Sequence, residues 1–214
     1  MPRSPRLVVP DLAHHVIQRG NRQQAIFFDD ADRRAYLTLL AEGCAKHATR
    51  CLAWCLMDNH VHLILVPTHA DGLRAPLSAA HTAYSQRINR RQGLSGHLFQ
   101  GRFASYPMDD AHQMVAARYV ENNPVAAGIV ARAEDWCWSS ARAHLGLGED
   151  GLTDVAALRQ HVPNWRAMLA RGLEAGEEDA RVEQSLRSGR PLGSVPGAAA
   201  EPPRRGRPPN RLGK

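Results

Sequence analysis

The chain has 214 residues, 43% apolar and 22% charged, which suits one ordinary domain with an appendage or two small domains and is long enough to bury a core. No apolar run reaches the roughly 18 residues of a membrane span, and the first residues lack the apolar stretch of a secretory signal. The net charge is +6, and of the 27 basic residues only Lys46 and Lys214 are lysines.

Taken in chain order, the hydrophobic pattern predicts a strand from His14 to Arg19, closed by Gly20-Asn21. A helix follows from about Asp30 to His47, capped by Asp29 or Asp30, with Tyr36, Leu37, Leu39, Leu40 and Cys44 as its apolar stripe. Cys51–Met57 and His60–Val66 read as strands around the turn Asp58-Asn59. The second alternates, with His60, His62, Ile64 and Val66 on one face and Val61, Leu63 and Leu65 on the other. Residues 73–91 read as a helix, and Arg102–Met108 as a strand. Asp109-Asp110 caps a further helix that Pro124 is expected to stop after about Asn122. The order β-α-β-β-α-β-α fits an α+β, ferredoxin-like antiparallel sheet with helices on one face, leaving the other face free for function. Three regions are expected: residues 1–146 as the folded domain, 147–187 as a helical extension, and 188–214 as a disordered tail rich in Pro, Gly and Arg.

The charge is unevenly spread along these regions. Residues 1–146 carry +4, residues 147–200 carry −2, and residues 201–214 carry +4. The stretch 72–108 contains no acid but holds Arg74, Arg87, Arg90, Arg91 and Arg102. Arginine's planar fork binds phosphate and stacks on bases, which points to nucleic acid; a GC-rich genome would also enrich arginine. Cys44, Cys51, Cys55 and Cys137 show no paired spacing and read as reduced thiols of a cytoplasmic protein.

Four constellations carry chemistry. His60 and His62 are two apart on a strand and share a face, within reach of one metal ion; two unremarkable histidines at a core edge would look the same. Tyr119 and Asn123 are four apart on a helix, so a phenol lies beside an amide oxygen. A phenol is a competent phosphoryl nucleophile once the phosphate charge is neutralised, and an amide oxygen suits Mg²⁺ or Mn²⁺. A core tyrosine and a C-terminal helix cap would also fit that spacing. The run 96–103, GHLFQGRF, interleaves aromatic, amide and Arg side chains as single-strand binders do. The run Gln18-Arg19-Gly20-Asn21-Arg22 is an amide-rich loop suited to phosphate or base edges, or a plain turn.

The successive motifs HVIQRGN, LMDNHVHLILVP, SGHLFQGRF, RYVENNPVAAGIV, EDWCWSS and SGRPLGS together resemble the REP-associated tyrosine transposases, relatives of the IS200-like single-tyrosine enzymes. The resemblance is close over residues 3–145 and looser in the tail. It implies that His60 and His62 form the paired-histidine nuclease motif, that Tyr119 is the nucleophile, and that Asn123 completes a site for Mg²⁺ or Mn²⁺. Tyr84 and Tyr106 are lesser candidates for the nucleophile, and small residues stand at Ala104 and Ala117 where many relatives have larger ones.

The activity so implied is cleavage and rejoining of single-stranded DNA hairpins through a 5′-phosphotyrosine. Arg19, Asn21, Arg87, Arg90, Arg91, Arg102 and the tail residues Arg204, Arg205 and Arg207 are the candidates for gripping the DNA. The tail would act as a minor-groove arm or as a simple electrostatic tether. No protein partner is implied, and relatives include monomers and homodimers. A hairpin-binding regulator with a vestigial nuclease site is the alternative, since such sheets also bind single-stranded RNA.

Overall fold

A computed structural model describes residues 6–172 and 176–196. Four strands, β1 (Ala13–Arg19), β2 (Arg50–Met57), β3 (His60–Val66) and β4 (Ala104–Met108), form one antiparallel sheet in the order β2-β3-β1-β4. This is the expected ferredoxin-like arrangement.

Helices α1 (Asp30–Lys46) and α2 (Arg74–Gln92) cover one sheet face. Asp29 caps α1 by accepting the Asp32 amide at 2.9 Å, and Tyr36, Leu40 and Cys44 recur every four residues as its buried stripe. Leu77, Ala80, Tyr84 and Ile88 do the same on α2, which ends at Gly93 in the left-handed conformation. Val16, Trp54, Leu56, Val61, Leu63 and Leu65 rise from the strands to meet them.

The third helix, α3 (Asp110–Ala126), lies on the opposite face, so the face expected to stay open is partly roofed by the tyrosine helix. Ala116, Ala117 and Val120 pack there against Ala53, Cys55 and Ile64. Small residues at 116 and 117 bring the helix close to the strands. Pro124 does not stop α3. It lies in the last turn, where its ring removes one helical hydrogen bond, and Ala127 N–H, three residues on, still reaches Asn123 O at 3.0 Å.

Strand β4 begins two residues later than expected. Between the paired positions Ile17/Ala104 and Gly20/Phe99, two residues of β1 face four of the incoming chain. The surplus is a bulge, which leaves Arg102 outside the ladder. Gly20 is required here for close approach, because a Cβ at that position would lie 2.1 Å from Gln24 O.

Both sheet edges are covered by later chain. Ser140 N–H donates to Trp54 O and Leu56 N–H to Trp138 O, each at 2.9 Å, along the outer side of β2. Short helices α4 (Ala141–His144), α5 (Val155–Arg159), α6 (Trp165–Gly172) and α7 (Gly176–Ser188) follow. Of these, α4 and α6 are tied to α3 through Glu121. Its fully buried carboxylate accepts from Ser140 Oγ at 2.5 Å, His144 Nδ1 at 2.6 Å and Trp165 Nε1 at 2.7 Å.

Past Ser188, where composition suggested a tail, the SGRPLGS motif is built onto β4. Leu192 N–H donates to Pro107 O at 3.0 Å, and Asp109 N–H donates back to Leu192 O at 3.2 Å. Gly193 turns with φ +83° tight against the Asp109 carboxylate, where a Cβ would sit 2.1 Å from Oδ2. Arg204, Arg205 and Arg207 lie outside the described residues. No helix among the described residues is long and apolar enough to cross a membrane.

Candidate active site

The alternation of β3 decides where its histidines go. Cross-strand partners share a face, so His60 and His62 stand with Arg19 and Ile17 of β1, which are their register partners. His15, two residues further along β1, stands on the same face. Sequence reasoning missed His15. The signal was available, because His15, Ile17 and Arg19 alternate in one strand and the ferredoxin-like order sets β1 beside β3.

The three imidazoles form a chain of contacts. His15 Nε2 lies 2.8 Å from His62 Nδ1, and His62 Nε2 lies 3.0 Å from His60 Nε2. His60 Nδ1 lies 2.7 Å from Asn59 Oδ1. Asn59 Nδ2 donates to Gln23 O at 3.2 Å, which turns Oδ1 toward His60. His60 Nδ1 is therefore the protonated nitrogen, and His60 Nε2 directs a lone pair at His62. Gln23 and its neighbour Arg22 both hold left-handed backbone conformations in the loop that supplies this carbonyl.

Burial keeps all three rings neutral at ordinary pH. It pushes His15 down to about 3 and, with the Arg19 charge, His60 down to about 4. His62 is also pushed well down, first by burial and then by His15, His60 and Arg19. His15 Nδ1 is buried without a hydrogen-bond partner.

Tyr119 descends from α3 onto this group. Its ring centroid is 6.0 Å from those of both His15 and His62, edge-on to each. Asn123 follows one turn along, so the i, i+4 spacing sets phenol and amide on one side of the helix, as the sequence suggested. Burial raises the phenol pKa, and Glu183 and Asp179 of α7 raise it further; Arg19 and the nearby Asn123 amide oppose them. Arg118, beside Tyr119, is occupied by an ion pair with Glu178 at 2.6 Å.

The other tyrosines are placed differently. Tyr84 is buried on the α1/α2 face with its hydroxyl on Ile26 O at 2.6 Å, and burial drives its pKa far up. Tyr106 lies on β4 opposite His15 and donates to Leu186 O at 3.1 Å.

The arginines split into two sets. Arg19 and Arg102 are exposed near the histidines, and Arg90 is exposed on α2. Arg91 instead reaches α1, 2.6 Å from the fully buried Asp32 and 2.9 Å from Asp29, while Arg87 is 3.9 Å from Asp32. The acid-free stretch of sequence thus meets its acids across the helix pair. Asn21 is half-buried, and its backbone N–H bonds Leu98 O at 2.8 Å.

Comparison with known proteins agrees with this arrangement. The family described as Transposase IS200 like matches residues 8–123, a span that begins before β1 and ends at Asn123. The REP-associated tyrosine transposase solved bound to a REP hairpin is 17% identical, with a TM-score of 0.57 over 72% of this chain and 90% of that one. At that identity the likeness speaks to the fold. A structure from Deinococcus radiodurans R1, described as a candidate transposase, is 19% identical over 56% of this chain and 97% of that one, with a TM-score of 0.38 that carries no weight. No curated protein matches the chain. With more than half of its length matched by the family, and with both histidines, Tyr119 and Asn123 inside the match, the chain belongs to the IS200-like transposases.

Proposed function

We propose that this transposase cleaves and rejoins single-stranded DNA hairpins through a covalent bond to Tyr119, with Mg²⁺ or Mn²⁺ held by His60, His62 and Asn123. The observation that carries the reading is the facing pair His60 and His62 on β3 beneath Tyr119 of α3, whose ring centroid is 6.0 Å from that of His62. The facing Nε2 atoms of His60 and His62 are 3.0 Å apart, so both could serve one ion. The amide oxygen of Asn123 on α3 would be the third ligand, a hard donor suited to Mg²⁺ or Mn²⁺.

A divalent ion there would polarise the scissile phosphate and draw off its developing charge. The residues supply the rest. Tyr119 Oη attacks phosphorus as its proton passes to water; the bond to the 3′ oxygen breaks, and that oxygen takes a proton from water and leaves as a hydroxyl. The 5′-phosphotyrosine keeps the phosphoester bond, so a 3′-hydroxyl from a second strand reverses the step and releases the phenol. The raised pKa of Tyr119 means that the phenol depends on added positive charge to ionise near neutral pH. His62 binds through Nε2 only when its proton sits on Nδ1, where His15 Nε2 accepts it. Arg19 and Arg102 are the nearest candidates for holding the DNA, with Asn21 and Arg90 further candidates; Arg87 and Arg91 would do so by sharing their contacts with Asp32.

The test is incubation of the purified protein with labelled single-stranded hairpins from its source genome, with Mn²⁺ or with EDTA. The expected result is an SDS-resistant adduct and a cut strand in Mn²⁺ alone. Tight hairpin binding that is equal in both, without scission, would instead mark a binding protein with a vestigial site.

A further inference from the structure

The tryptophan pair of EDWCWSS, Trp136 and Trp138, lies beyond Asn123, where the family match ends. The motif runs along the outer edge of β2. Leu56 N–H donates to Trp138 O at 2.9 Å, and Trp136 Nε1 donates back to Leu56 O at 3.2 Å. From Leu56 the strand continues one residue to the turn Asp58-Asn59, which opens directly into His60.

The same two rings surround a cation. The guanidinium carbon of Arg33, from α1, lies 5.5 Å from the ring centroids of Phe27 and Trp136 and 5.7 Å from that of Trp138. These distances are within the reach of cation–π attraction. Arg33 is only 8% exposed, and its Nη2 donates to Asp58 Oδ1. The turn is also tied through its backbone. Asp58 O accepts from Ile26 N–H at 2.8 Å and Phe27 N–H at 3.2 Å, and Asn59 O accepts from Gly20 N–H at 2.8 Å.

This anchoring bears on one side chain. Asn59 Oδ1 faces His60 Nδ1 at 2.7 Å, while Asn59 Nδ2 is held by Gln23 O at 3.2 Å. An amide so held accepts from the imidazole and does not donate to it. The proton of neutral His60 therefore stays on Nδ1, and Nε2 keeps its lone pair. Asn59 does for His60 what His15 does for His62. The two Nε2 atoms then face each other with their lone pairs, an arrangement that a shared cation relieves.

We propose that Asn59 is the positioning residue of the candidate metal site, fixing the tautomer in which His60 can bind an ion, and that Arg33, seated against Trp136 and Trp138, is the clamp that holds the turn carrying Asn59. The proposal rests on the metal-dependent reading above and gives the tryptophan motif a part in it. Neither Asp58 nor Asn59 has a left-handed backbone, so the Asn59 side chain can be exchanged without backbone strain.

Two measurements on the full chain test it. Nitrogen-15 NMR of the metal-free protein reads the tautomer of His60, assigned by the signal lost in His60→Gln, and calorimetry reads Mn²⁺ affinity. The wild type is expected to carry the His60 proton on Nδ1. Asn59→Ala is expected to lose that preference and to bind Mn²⁺ about 10–100-fold more weakly. Asn59→Asp, which keeps an acceptor, is expected to restore both. Arg33→Gln is expected to weaken Mn²⁺ binding, and the double variant Asn59→Ala/Arg33→Gln to bind no more weakly than Asn59→Ala, because the clamp acts through Asn59. Should Arg33→Gln fail to fold, Asp58→Ala, at the exposed end of the ion pair, takes its place with the same expectation. A wild-type proton on Nε2, or wild-type tautomer and affinity in Asn59→Ala, overturns the positioning role and leaves the nuclease reading standing. Additive losses in the double variant overturn the clamp. A wild type that binds no Mn²⁺ overturns the metal site and the positioning role together.

Discussion

The two faces of the sheet are built from the same strands and do opposite things. On the α1/α2 face, Val61, Leu63 and Leu65 of β3 meet Tyr36, Leu40, Leu77 and Tyr84 in an apolar layer, and the tyrosine hydroxyls there are tied off. On the α3 face, the alternate residues of that strand begin with His60 and His62, and the tyrosine above them has a ligand-type amide one helical turn away. One residue of register separates a packed core from a reactive surface. A polar site can therefore be carried by a strand whose other half is ordinary core, provided the alternation is strict.

The sharpest way to break the comparison is to exchange tyrosines between faces. Tyr119→Phe is expected to abolish the DNA adduct completely while changing stability by no more than about 1 kcal/mol, since it removes one hydroxyl from a half-buried ring and leaves the ring in place. Tyr84→Phe is expected to leave the adduct intact and lower stability by about 1–3 kcal/mol, because Ile26 O is left buried without its donor. Denaturant titration and denaturing gels read the two effects separately. An adduct that survives in Tyr119→Phe would mean that the nucleophile lies elsewhere.

The polar face also has a structural anchor distinct from its chemistry. Glu121→Ala is expected to cost about 3–5 kcal/mol, because it strands Ser140, His144 and Trp165 without their shared acceptor. Leu63→Ala on the apolar face is expected to cost about 2–5 kcal/mol through the cavity it leaves. If Glu121→Ala were neutral in urea unfolding, the buried carboxylate would not be holding the extension to α3.

His15 sharpens the comparison at the level of ligand geometry. His15→Ala is expected to weaken Mn²⁺ binding about 10–100-fold, as loss of an orienting partner does, and to leave hairpin affinity in EDTA unchanged. His15→Gln, which keeps an acceptor within reach of His62, is expected to restore part of that affinity. Calorimetric titration with Mn²⁺ would show it, and unchanged affinity in both variants would reduce His15 to packing.

The histidines of the apolar face add an effect that depends on pH. Burial lowers His14 to about 4 and His81 to about 3. The unfolded chain binds these protons near 6.5 and the folded chain does not, so the stability they contribute is full above about pH 6.5 and is lost as pH falls toward 4. Each adds up to about 1.4 kcal/mol per pH unit to that slope. His81→Gln is expected to make the slope shallower in unfolding curves between pH 4 and 6.5.

Much of this was legible in the sequence, and the rest was not for identifiable reasons. The alternation of His60–Val66, the Asp29 and Asp109 caps and the i, i+4 pair Tyr119/Asn123 are local signals, and the structure places them as read. His15 needed the strand order, a non-local fact. The late start of β4 came from a bulge that periodicity does not show. Pro124 misled because a proline in the last turn removes only one bond. Arg87 and Arg91 looked free because their acids, Asp29 and Asp32, lie some 60 residues earlier in the chain. The Gly193 strap was hidden in a composition typical of tails.

Mass-spectrometric mapping of the covalent adduct formed on a genomic hairpin in Mn²⁺ tests the central claim most directly. The account predicts a single modified peptide, with the nucleotide phosphate on the Tyr119 hydroxyl and no modification of Tyr84 or Tyr106. An adduct on any other residue, or strand scission with no covalent protein product, would contradict it.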